Sequence, residues 1–383
     1  MKRVSLVLLP VSFLLSTGAY AQSSVTLYGL LDAGVAYVSN SGGSSVVKFS
    51  SGNTYGSRWG LKGSEDLGGG LKTVFQLENG YSLASGTLGQ GGREFGRKAI
   101  VGLSDDSYGA VTIGRQYDPI VDVVQPLTED AYFGGTFGTP GDVDNYDNSV
   151  RVSNSIKYVS PLINGLQAEA LLGLGGVAGG GAANGQTLGL GLNYAQGPLA
   201  LATGYYRANG GNTTTAGIRT FTSSSDSIFS TNLNTGFASA KTVQIARAGG
   251  TYSFGNALVG LSYSNVAYKP DGLSDFTQTA KFNVGGAFFN YRLNPALLVG
   301  LGYNYTKLSG QTSADYQQVN LGVDYALSKR TSLYALTGYE KASGKTLNAS
   351  GAIVAATAVI GDYGVNSNHN NQSLVIVGIR HRF

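Results

Sequence analysis

Cysteine is absent from the chain, which removes disulfide staples, thiolate nucleophiles and iron–sulfur sites from consideration. Histidine is nearly absent as well: His369 lies in a polar stretch and His381 on an alternating terminal segment. A catalytic base needs an oriented partner and a nucleophile within reach, and the sequence offers neither, so no catalytic site is expected. No metal site is expected either. Asp142, Asp144 and Asp147 resemble the start of a calcium loop but lack its sixth-position glycine and closing glutamate. The SGKT at 343–346 lacks the correctly spaced first glycine of a phosphate-binding loop. No cofactor is implied. Charge is scarce at 13% of residues, and with Lys2 and Arg3 set aside 24 basic residues face 22 acidic ones, which argues against nucleic acid as a partner. Beyond the first residues no run approaches the ~20 consecutive apolar residues that a membrane-spanning helix needs.

What the chain does have is glycine (58), tyrosine (24) and a 42% share of hydrophobic residues. Lys2 and Arg3, the apolar Val4 to Leu15 and the small-residue site Ala19-Tyr20-Ala21 form a secretory leader, so residues 1–21 are expected to be cleaved and 22–383 to form one domain. Segments of period-two alternation bounded by turn residues then recur at 24–39, 54–64, 70–80, 93–104, 109–117, 151–160, 165–174, 186–195, 199–208, 241–254, 256–270, 276–293, 296–309, 314–327, 331–342 and 372–383. The links after even-numbered segments are short, among them EDLGG, DSYG and AQGP, whereas several after odd-numbered ones are long. Short turns at one end and long loops at the other are the signature of a membrane-spanning barrel. Leu297, Val299, Leu301, Tyr303 and Tyr305 share one face of a strand, with Leu298, Gly300, Gly302, Asn304 and Thr306 on the other. In hydrocarbon every backbone amide must be paired, so such a sheet has to close. The last segment, SLVIVGIRHRF, would pair with 24–39 and put Arg380 and Arg382 on its polar face. The fold class expected is all-β, a sixteen-stranded antiparallel transmembrane barrel. GAIVAATAVIG at 351–361 leaves two courses open: folding across the barrel mouth or extending a hairpin.

SSVTLYGLLDAG, SRWGLKGSEDLGGGLKTVFQLE, GRKAIVGLSDDSYGAVTIGRQYD, RVSNSIKYVSP and the terminal VGIRHRF, in that order, resemble the general porins of Gram-negative bacteria, of the β-proteobacterial type. The resemblance covers essentially the whole chain after the leader. It implies a homotrimer in the outer membrane, surrounded by lipid and lipopolysaccharide. It also implies delivery by the β-barrel assembly machinery, with Phe383 as the assembly signal, and passive diffusion of small hydrophilic solutes and ions. By the same resemblance the third long link, about 118–149, folds inward as a constriction loop carrying the acids Asp122, Glu129 and Asp130, with Tyr132-Phe133-Gly134-Gly135 as its bend. Arg58, Arg97 and Arg151 match the family's basic cluster, and Glu78, Arg115 and Tyr117 match other lumen-lining positions. An arginine facing lipid near mid-bilayer costs about 2–4 kcal/mol, which by itself directs these side chains to the lumen. Lys62 and Lys72 share lumen parity, so the basic groups outweigh the loop acids and modest anion selectivity is expected. A substrate-selective channel for anionic nutrients is the alternative.

Overall fold

Sixteen antiparallel strands pair each with the next, and the last pairs with the first. The computed structural model describes residues 24–178 and 183–383; the expected leader lies outside the described residues. The staves are β1 (Ser24–Ser41), β2 (Arg58–Gly68), β3 (Leu71–Gly80), β4 (Lys98–Asp105), β5 (Gly109–Gln116), β6 (Val152–Val159), β7 (Leu166–Gly173) and β8 (Thr187–Gln196). They continue as β9 (Leu199–Asn209), β10 (Thr242–Phe254), β11 (Ala257–Lys269), β12 (Ala280–Asn294), β13 (Leu297–Ser309), β14 (Ala314–Ala326), β15 (Thr331–Leu347) and β16 (Asn371–Arg382). The β1–β16 register runs from Leu30 opposite Arg382 to Val38 opposite Leu374.

The sheet is inside-out by the standard of a water-soluble protein. On β13 and β14 the outward Leu301, Tyr303, Val319 and Leu321 are exposed, while the inward Asn304, Gln318 and Asn320 are buried. Aromatic side chains band the outer wall at the short-turn end, with Tyr252, Phe254, Tyr291 and Tyr325 exposed there. Phe383 closes that band: its backbone exchanges 3.1 Å hydrogen bonds with Gly29, and its ring occupies the space a Cβ at Gly29 would need.

The expected strands at 54–64 and 93–104 begin later, at Arg58 and Lys98. The first delay has a clear cause. The Asp32 carboxylate, buried on β1, accepts the backbone N–H groups of Thr54 (2.9 Å) and Tyr55 (3.0 Å) and the Tyr334 hydroxyl (2.6 Å). That pulls residues 53–55 off the wall and into the lumen.

Two loops fill the interior. The link between β5 and β6 starts with Asp118 capping a short helix, α1 (Pro119–Val123), by accepting from the Ile120 N–H at 2.9 Å. It crosses to the far wall, where a second short helix, α2 (Asp130–Phe133), delivers Phe133 and the turn after it delivers Phe137, the two rings stacked at 5.0 Å. Their seat is made of missing side chains: a Cβ at Gly300 or Gly322 would lie 2.2 or 2.5 Å from the Phe133 ring. At the bend Gly134 has φ +75°, a region other residues enter at a cost, with the Thr54 carbonyl pressed against it.

The link between β15 and β16 takes both courses left open by its sequence. Ile353–Ala355 pairs with β15 and extends the hairpin; the next residues then dive inward. There Glu340, Gln372 and Gln318, inward residues of three neighbouring staves, accept the N–H groups of Val359, Ile360 and Gly361 at 3.1, 3.1 and 2.8 Å. Asp362 N–H then donates to the Gly135 carbonyl at 2.9 Å, which fastens this loop to the first.

Candidate functional site: a charged constriction

Where these loops approach the β2–β6 wall they leave a cavity of about 530 Å³ with Arg58, Arg97, Arg151 and Tyr117 on one side and Asp122, Asp130, Asp147 and Asp362 on the other. Arg58 opens β2 on its inward row, opposite Leu30 and Gly80. Arg97 shares sequence parity with the outward Ala99, yet it lies in a bend before β4, so strand parity does not govern it. Its Nε donates to Glu78 Oε1 at 2.7 Å and its Nη2 to the Tyr117 hydroxyl at 2.6 Å. Arg151, just before β6, donates to Asn148 Oδ1 at 2.7 Å and holds its guanidinium 5.2 Å from the Tyr117 ring centroid. Arg58 reaches Glu78 only at 3.9 Å. Three guanidinium groups therefore gather around one phenol with a single nearby strand carboxylate, and that carboxylate also accepts from Tyr28 at 2.9 Å. Burial would raise the Tyr117 hydroxyl, but Arg97, Arg151 and Arg58 outweigh it and hold it below its ordinary value.

The acidic side is different in kind. Asp122 is ion-paired with Lys157, which also lies 3.9 Å from Glu169. Burial, reinforced by Asp130 and Asp362, pushes Asp147 well above the usual carboxylate range, and burial lifts Asp362 to about 6. Asp142 is raised by burial and then by Asp362 and Asp144, and Asp130 by burial. Carboxylates packed this closely share protons instead of all ionising.

The expected residues therefore divide. Arg58, Arg97, Arg151, Tyr117, Asp122 and Asp130 line the cavity, with Glu78 directly behind the arginines. Lys62 is on the inward row four residues further towards the short turns, 5.4 Å from the Tyr28 ring. Lys72 is inward but sits at the turn, 3.4 Å from Asp106, away from the constriction. Arg115 does not line the cavity. It stands opposite the outward Ala99 beside a register shift, pairs with Asp226, and donates to the Gly96 carbonyl at 2.7 Å. Glu129 is turned away as well, its carboxylate wedged against Gly300 and Asn290, where burial pushes it up to about 9 and leaves it neutral.

Several residues at the site escaped sequence reasoning. Lys157 had a usable signal, since it stands between the outward Ile156 and Tyr158. Lys98 pairs in register with Glu78 and lies 5.6 Å from the Tyr117 ring. Tyr55 holds the guanidinium groups of Arg380 and Arg382 at 4.9 and 5.3 Å from its ring centroid. Asp362 had no local signal, because only the fold brings it to Ser149, whose hydroxyl donates to it at 2.9 Å.

The Gram-negative porin family matches residues 6–345. An outer membrane porin protein of Delftia acidovorans is 31% identical over 96% of each chain, and one of Bordetella pertussis is 28% identical over 84% of this chain and 90% of that protein. Among solved structures, the anion-selective porin from Comamonas acidovorans superposes with a TM-score of 0.71 at 26% identity, covering 94% of this chain and all of that one.

Proposed function

The chain belongs to the Gram-negative porin family of outer-membrane barrels, and from that premise we propose that it is a non-enzymatic, water-filled channel for passive diffusion of small hydrophilic solutes and ions, with a preference for anions. One observation carries the anion preference: the guanidinium groups of Arg58, Arg97 and Arg151 converge on the cavity against Glu78, while the facing carboxylates are crowded into partial protonation. Guanidinium groups stay charged at any physiological pH, so the transverse field is set by the strand wall. A polar solute crossing it is oriented by the field, and an apolar one gains nothing in exchange for its hydration; rings and clusters of charge also set ion preference. The similar porin from Comamonas acidovorans is anion-selective, which supports the same sign. The test is planar-bilayer recording of refolded protein in a salt gradient. Stepwise openings and a reversal potential of the anion-selective sign are expected; a cation-selective sign, or no conductance, rejects the reading.

A selective channel for anionic nutrients is favoured by one detail. The Arg151 Nε is buried and unpartnered among the described residues, a free donor beside two other guanidinium groups and suited to a carboxylate. Saturable block of chloride current by succinate identifies this case; unsaturable behaviour leaves the general channel. The homotrimer is part of the same proposal, and it predicts openings grouped in threes and a cross-linked species of three chains.

A further inference from the structure

The cationic wall of the lumen continues past the constriction. On β16 the alternate residues Val375, Val377 and Ile379 are exposed on the outer wall, so Arg380 and Arg382 point inward. The two arginines differ in their partners. Arg380 donates to Asp324 Oδ2 at 2.7 Å and to Thr54 Oγ1 at 3.1 Å, so its charge is matched. Arg382 is exposed, with its guanidinium 5.3 Å from the Tyr55 ring centroid. Among the described residues neither Arg382 nor the inward Lys62 of β2 belongs to an ion pair. Lys157, inward on β6, shows the contrast: Asp122 pairs with it and Glu169 lies 3.9 Å away.

Register brings the unmatched cations together. Leu30 on β1, which is buried, stands opposite Arg58 on β2 and opposite Arg382 on β16. Two strand spacings part the two arginine backbones by roughly 10 Å, a gap their side chains can close on one small ion. Lys62 is four residues from Arg58, roughly 13 Å towards the short turns at ordinary strand rise. Glu78, the carboxylate behind Arg58, is already engaged. It accepts from Arg97 at 2.7 Å and from Tyr28 at 2.9 Å, and reaches Arg58 only at 3.9 Å. Position sets this group apart from the constriction. Arg58 and Tyr55 line the constriction cavity, whereas Arg382 and Lys62 do not. The Arg382 N–H donates at 2.8 Å to the carbonyl of Arg330, in the short turn that leads into β15.

We propose that Arg382, Arg58 and Lys62 form a second anion site on the short-turn side of the constriction, for small doubly charged oxyanions such as hydrogen phosphate or a short dicarboxylate. Each guanidinium presents a planar fork of donors that fits two oxygens of such an ion. Coulomb attraction doubles with the charge of the ion, so cations without counter-charges of their own favour a dianion over chloride or acetate. An anion leaving the constriction on this side meets Arg382 before open water. Passage over several weak sites is how a channel combines capture with release. The inference rests on the water-filled lumen of the proposed channel and shares Arg58 with the constriction, but it does not depend on the sign of ion selectivity.

Full-length protein refolded in detergent, and judged folded by its heat-modifiable gel mobility, is titrated with inorganic phosphate at pH 7.5, and binding is read from phosphorus-31 line broadening. Saturable binding is expected. K62Q/R382Q should weaken it by at least about fivefold, while R97Q/R151Q, which strips the constriction, should leave it within about twofold. Unchanged binding by K62Q/R382Q overturns the proposal, as does no saturable binding by the unaltered protein. Loss of binding in R97Q/R151Q but not in K62Q/R382Q moves the site into the constriction. If acetate displaces phosphate at equal concentration, the preference for doubly charged ions falls. Sidedness is the second readout. Phosphate added to one face of a bilayer should half-block the chloride current at a concentration at least about threefold lower than from the other face, and K62Q/R382Q should erase that difference. A block equal from both faces contradicts a site on the short-turn side. The reversal potential of the same channels in potassium chloride tests the anion preference separately: a cation-selective sign rejects that preference and leaves the phosphate results standing.

Discussion

The loop side of the constriction carries more ionisable groups than the strand side, yet its groups hold their charge less firmly. On the strand side, Arg58, Arg97 and Arg151 are spread around Tyr117, and guanidinium groups are fixed positive charges. On the loop side, Asp130, Asp142, Asp147 and Asp362 crowd one another, Glu129 is buried with no ion pair among the described residues, and Asp122 is spent on Lys157. The lesson is that formal charge counts mislead at a pore: the spacing of like groups and the supply of counter-charges decide what a passing ion meets.

The most direct way to break the contrast is to neutralise the strand side. R58Q/R97Q/R151Q is expected to reverse the sign of the reversal potential in a potassium chloride gradient while the barrel still folds, because the closing hydrogen bonds lie elsewhere. An unchanged sign removes these arginines from control of selectivity. Next in size is the loop's anchorage. Gly322→Leu drives a side chain into the Phe133 ring, an overpacking worth about 1–3 kcal/mol, and should lower the thermal midpoint and make single-channel conductance larger and noisier. Normal, quiet currents would mean the loop is held by something other than this seat. pH sharpens the comparison more gently. Asp362, raised by burial to about 6, loses charge as pH falls from 7.5 to 5 while the guanidinium groups keep theirs, so anion preference should rise on acidification. Asp362→Asn should flatten that rise, and a fall in anion preference over this range contradicts the picture. The smallest effect is expected at Arg115: R115Q should leave selectivity unaltered, since its partner is Asp226 and not the cavity. A measurable shift in reversal potential would return it to the pore wall.

How far the sequence could be trusted follows from what kind of information each residue needs. The staves were legible because a lipid-facing wall imposes strict alternation, and Leu301, Tyr303, Val319 and Leu321 obey it. Arg115 was legible in principle too, for Val111 and Ile113 on the same parity are exposed on the outer wall. Arg97 defeats the rule in the opposite sense: its parity says outward, but the bend before Lys98 frees it to reach Glu78. The loop acids were legible only as residue types. Whether Glu129 faces water or Gly300 depends on how the loop lands, and the landing site is set by glycines more than 150 residues away along the chain. Asp362 lies further still from local inference, because the three inward side chains that receive its segment sit on β14, β15 and β16.

The seating of Phe133 in the hollow left by Gly300 and Gly322 has one more implication. A greasy peg in a fitted socket is indifferent to dissolved electrolyte, whereas the cationic wall on the other side of the lumen is shielded over about 10 Å in decimolar salt. If the channel prefers anions as proposed, brine should dull that preference long before it alters the bore. On that reading the width of the eyelet and its discrimination rest on separate hardware, and each can drift in evolution without dragging the other along.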